Sequence, residues 1–92
     1  MTLALHKIYM LRAQDSGNDR RLMYARMLRK ASTIRRFTIT HLQSTGWDVR
    51  DEQDSRVLRR VVYHDWHRVE RASLAFSLEV QQLLERGWEE LN

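Results

Sequence analysis

Between Tyr63 and Trp88, the residues Trp66, Val69, Ser73, Phe76, Val80 and Leu83 recur at spacings of three and four, which places them on one side of an α-helix. Asp65 stands ahead of the run as an N-cap and Gly87 behind it as a C′ residue, so the pattern predicts a long C-terminal helix over about 65–87. Leu74 and Leu78, four apart, fall on the opposite side of that helix. A greasy outer side in so small a chain points to a cover over it, either a basic N-terminal helix or a second subunit.

Upstream the period changes. Thr33 to Leu42 alternates, with Phe37 and Ile39 on one side and Arg36, Thr38 and Thr40 on the other, and its β-branched content fits a strand. Gln43, Ser44, Thr45 and Gly46 read as a turn, Trp47 to Glu52 as a second strand with Trp47, Val49 and Asp51 on one face, and Arg56 to Tyr63 as a third. Taking Gln53 and Asp54 as a two-residue loop sets Asp51 opposite Arg56, Val49 opposite Leu58, and Asp48 opposite Arg59. A three-stranded antiparallel meander over about 33–63 is therefore expected. The third strand carries apolar residues on both faces, as a central or covered strand does.

Tyr24, Met27, Leu28 and Ala31 share a helical spacing, with Met23 at the margin and arginines filling the rest. That predicts a basic helix over about 19–31, capped by Asn18 or Asp19 and following a turn at 15–19. Its methionines, Met23 and Met27, suit a docking face. Met1 to Arg12 fits either period, with a lean to helix, and residues 1–17 read as an accessory arm to a core spanning about 33–88. The fold class is α+β, with 1–92 as one domain.

At 92 residues the chain has room for one domain. A domain of this size buries only about 60–65% of the surface its unfolded chain exposes, so its stability margin is thin. With no cysteine, neither a disulfide nor a thiolate metal site reinforces it, and dimerisation is a common remedy. No apolar run approaches the roughly 20 residues of a membrane span, and MTLALHKIYML is a poor signal peptide, so a cytoplasmic protein is expected. Charge is unevenly placed. Residues 1–45 hold nine cations against two carboxylates, a net +7, and residues 46–92 hold seven arginines against ten carboxylates, a net −3. Such an arrangement serves contact with a polyanion or pairing within and between copies.

Candidate chemistry is sparse. His64 and His67 bracket Asp65, and such an H-x-x-H pair with a nearby oxygen is a minimal metal constellation; the simpler reading is a capped helix start at a wet corner. No serine or cysteine nucleophile has a recognisable setting and no glycine-rich loop could cradle phosphate, so no enzyme and no cofactor are expected. Arg20, Arg21, Arg26, Arg29, Lys30, Arg35 and Arg36 could meet nucleic-acid phosphates; alternatively they pair with carboxylates such as Glu79, Glu85, Glu89 and Glu90. Trp47, Trp66 and Trp88 read as packing residues, Trp47 across the sheet near Arg60 or Val62, and Trp88 folded back on the last helical turn.

The expected order of helix, three antiparallel strands and helix over Asn18 to Gly87 resembles the double-stranded-RNA-binding domain in topology. Its motifs do not follow. The turn Gln43–Gly46 lacks that family's proline and histidine, and Trp66 to Arg71 replaces a lysine-rich helix start, so no binding residue is carried over. The function expected is that of a small non-enzymatic interaction module acting as a homodimer or protein-partner adaptor, with Leu74, Leu78, Met23 and Met27 at the interface. An RNA- or DNA-binding regulator is the alternative and a small metal-dependent enzyme the third reading.

Overall fold

A computed structural model of the chain describes residues 20–92. They form β1 (Arg20–Lys30), β2 (Thr33–Leu42), β3 (Gly46–Gln53), β4 (Arg56–Tyr63), α1 (Trp66–Glu85) and β5 (Glu89–Leu91). The strands make one antiparallel sheet in the order β4-β3-β2-β1-β5. After β4, α1 crosses one face of the sheet, and β5 then pairs on the far edge beside β1. The α+β class and the long C-terminal helix stand. The meander has four strands rather than three, and β5 completes a five-stranded sheet.

The expected basic helix over 19–31 is a strand. The reason lies in one residue. Tyr24 and Leu28 point toward α1, and the inward position between them is Arg26, whose guanidinium is neutralised by Glu90. A buried arginine in the middle of the inward row hides the period of two, and what remains visible is a spacing of three and four. A register shift between Leu22 and Tyr24 blurs the alternation further. With β1 a strand, the topological resemblance to the double-stranded-RNA-binding domain lapses. The expectations for the accessory arm at 1–17 lie outside the described residues.

The core lies between the sheet and α1. It comprises Leu28, Phe37, Ile39 and Val49 from the sheet, and Val69, Phe76, Val80 and Leu83 from the helix. Phe37 and Phe76 sit with ring centroids 5.0 Å apart, and Tyr24 meets Phe76 at 6.0 Å while its hydroxyl contacts the Ser77 hydroxyl at 3.0 Å. The ends of α1 follow the sequence signals. The Asp65 carboxylate accepts from the His67 amide at 3.1 Å. At the other end Gly87 takes φ +95°, the Trp88 amide donates to the Leu83 carbonyl and the Gly87 amide to the Leu84 carbonyl, which is a Schellman closure. Trp88 packs against the core as expected, and its turn delivers the chain into β5.

The β3–β4 register differs from expectation. The loop is Asp54–Ser55, one residue later, with positive φ at both. Gln53 faces Arg56 and Glu52 faces Val57; Leu58 is then skipped, so that Asp51 faces Arg59, Arg50 faces Arg60 and Val49 faces Val61. Trp47 faces Tyr63 rather than lying near Arg60 or Val62, and stacks between His41 and Trp66. At Gly46 a β-carbon would run into the Tyr63 carbonyl oxygen, so glycine lets β3 begin tight against the end of β4.

Candidate functional site

The arginines of the sheet are largely committed to carboxylates. Arg26 is only 7% exposed and donates a two-pronged pair to Glu90 at 2.6 and 2.7 Å, joining β1 to β5. Beside it Arg29 reaches Glu89 at 3.1 Å, and Lys30 donates to the Arg86 carbonyl at 2.8 Å. On the helix side of the sheet, Asp51 is 1% exposed and is gripped from both flanks, by Arg35 of β2 at 3.0 Å and Arg59 of β4 at 2.7 Å. Both arginines also reach Glu79 of α1, at 3.0 and 2.8 Å, so four charges tie three strands' worth of sheet to the helix. On the opposite, open face, Asp48 is 3% exposed and accepts from Arg60 at 3.0 Å and Arg50 at 2.9 Å. Arg50 and Arg60 lie directly opposite each other, and the carboxylate between them offsets their repulsion.

These contacts move the titrations. Burial pushes the Asp48 carboxyl up, but hydrogen bonds from Arg60 and Arg50 outweigh it and hold it below the usual carboxylate range. Glu79 behaves alike, burial opposing and Arg59 and Arg35 prevailing. For Glu90 the bidentate bond from Arg26 is the leading cause, and its pKa is lowered.

Of the cations considered for nucleic acid, Arg26 and Arg35 are thus held within the fold, while Arg29 and Lys30 are exposed and tied to Glu89 and to the Arg86 carbonyl. Arg36 is exposed but lines a depression together with Glu52 and Asp54. Arg21 is exposed on β1, and the side chain of Arg20 is outside the described residues. The open sheet face interleaves Arg29, Arg36, Arg50 and Arg60 with Asp48, Glu52 and Glu89, and carries no aromatic ring from β1 to β4. It offers phosphates neither a dense cationic track nor a stacking platform.

His64, Asp65 and His67 stand at the β4–α1 junction. Asp65 serves the helix cap, His67 Nδ1 lies 3.7 Å from Glu70 of its own helix, and no three metal-ligating side chains converge among the described residues. Among those residues no helix is long and apolar enough to cross a membrane.

Among the described residues, large apolar side chains besides Trp66 are exposed in two places. Leu74 and Leu78 are each 66% exposed on the outer side of α1. Along β4, which among the described residues has a neighbour only on the β3 side, Val57, Leu58 and Val61 are exposed by 43–46%. Met23 and Met27 are half-buried and do not join the two leucines, because Met27 pairs with Arg36 and Leu91 on the face turned away from α1. The two leucines are legible in the sequence through their period. The β4 edge is not, because a strand apolar on both faces reads as central. Comparison with protein-family models, curated proteins and solved structures finds no match for this chain.

Proposed function

We propose that this chain is a non-enzymatic interaction module that pairs with a second copy through the outer side of α1, acting in the cytoplasm. The observation that carries the reading is the exposure of Leu74 and Leu78, one helical turn apart on an otherwise polar face. Covering both contributes about 2–4 kcal/mol per chain. The flanking charges suit a two-fold pairing with the helices antiparallel about residue 76. Leu74 of one copy then meets Leu78 of the other, and His67 and Arg71 approach Gln81 and Glu85. Opposed helix dipoles add to this arrangement.

Light scattering tests it. The wild-type chain is expected at twice its 11.1 kDa mass, and the double variant Leu74→Asp/Leu78→Asp at the single mass with its helical circular dichroism retained. A monomeric wild type, or a dimer indifferent to both substitutions, refutes the reading. The nucleic-acid alternative is disfavoured by the pairing of Arg26, Arg29 and Arg35 with carboxylates and by the mixed charge of the open face. Titration with double- and single-stranded RNA and DNA at rising salt is expected to give no binding at physiological ionic strength; binding with a steep salt slope would reinstate that alternative.

A further inference from the structure

We infer that the outer edge of β4 is a second docking site, and that it takes an extended acidic peptide from a partner protein as an added strand. The inference does not rest on the pairing of α1.

An edge strand presents a row of backbone donors and acceptors with no neighbour, and folds ordinarily guard it by shortness, cover or charge. Both edges of the described sheet are open over some length, since β5 covers only Met27–Arg29 of β1, and the β4 edge is eight residues long and carries the exposed apolar side chains. Its guards are partial, three arginines and the irregularity at Leu58, and Val57, Leu58 and Val61 stay exposed along its length. On the helix side the edge borders a groove lined by Val61, Ala72 and Ala75 together with the mutually paired Arg59 and Glu79, which leaves room for small apolar side chains from an added strand.

Charge selects the occupant. From Arg56 to Tyr63 the strand holds three arginines and no carboxylate. Arg59 is absorbed by Asp51 and Glu79, and on the open face Arg60 shares Asp48 with Arg50, whereas Arg56 faces Gln53 and makes no ion pair among the described residues. Arg60, about half exposed, is the side chain an incoming strand would meet on the open face. A second copy fits poorly. Antiparallel pairing of β4 with itself requires partners on the same face; a register centred on Arg60 sets Arg60 against Arg60, and one centred on Arg59 sets Val57 against Val61, which the irregularity at Leu58 places on opposite faces. A strand alternating carboxylates with small apolar residues meets no such repulsion. Its carboxylates would face Arg60 and its apolar side chains the groove.

The test uses two capped eight-residue peptides, one alternating glutamate with valine and one alternating lysine with valine, titrated into the full chain with backbone amide resonances as the readout. The acidic peptide is expected to shift the amides of 56–63 and slow their hydrogen exchange, to bind at least about tenfold more tightly than the basic one, and to weaken as salt rises. Arg60→Gln, which retains a donor for Asp48, is expected to weaken the acidic peptide while the backbone spectrum elsewhere is kept. Equal binding of the two peptides, no binding at millimolar concentration, or protection confined to α1 would each overturn the inference. So would concentration-dependent protection of β4 without peptide, which would make a second copy the occupant.

Discussion

Arg26 shows how one side chain decides what its neighbourhood becomes. A guanidinium taken from water without a partner costs several kcal/mol, whereas the Glu90 carboxylate, 2.6 Å away, satisfies two of its donors. Glu90→Ala strands that cation and is expected to destabilise the fold by roughly 3 kcal/mol. Replacing both partners with apolar residues of similar size, Arg26→Met with Glu90→Leu, is expected to return to within about 1 kcal/mol of wild type, because no buried charge is left behind. Glu89→Ala provides the contrast. Its pair with Arg29 is mostly exposed, and its loss is expected to cost under about 0.5 kcal/mol. Chemical denaturation of the four proteins checks the ranking; equal losses for Glu89→Ala and Glu90→Ala would show that burial does not set the worth of these pairs.

Elements were legible where local signals and tertiary context agree. The helix α1 carries its cap at Asp65, its period in Val69, Phe76, Val80 and Leu83, and its stop at Gly87, and each of these is local chemistry. Strand β1 was illegible because its inward arginine depends on a glutamate 64 positions away, and β5 because three residues carry no period of their own. The candidate surfaces divided in the same way. Leu74 and Leu78 could be found from spacing alone, whereas the openness of β4 follows from strand order, which no local pattern contains. Turn chemistry misled the β3–β4 register. Asp54 and Ser55 take φ of +51° and +69°, a conformation for which Asn-Gly or Asp-Gly is the usual signal, and the glycine is missing. Ser55→Gly supplies it and is expected to stabilise the fold by about 1 kcal/mol, raising the melting temperature by roughly 4–8 °C. An unchanged or lowered melting temperature would contradict the turn geometry.

For the molecule as a whole, folding partly offsets the imbalance of charge between its halves, since Arg26, Arg29 and Arg35 of the basic half close onto Glu90, Glu89, Asp51 and Glu79 of the acidic half. Stability should therefore depend on pH with a definite sign. Asp48, Glu79 and Glu90 all have pKa values lowered in the fold, so the folded state holds these groups ionised more readily than the unfolded chain does. A lowered carboxyl pKa contributes stability that is fully present above the unfolded value, near about 4 for aspartate and glutamate, and is lost as pH falls through the folded value. The melting temperature is accordingly expected to be flat from about pH 8 to 5 and to fall steeply below about 4.5. Glu90→Gln, which keeps the side chain's shape but gives up its charge, should lower the plateau and flatten the acid limb. The two effects belong together, because the variant has already lost what protonation removes from the wild type. A loss of stability centred between pH 5 and 7 would instead point to the histidines, and the ion pairs that join the halves would not be what sets the acid limit of this fold.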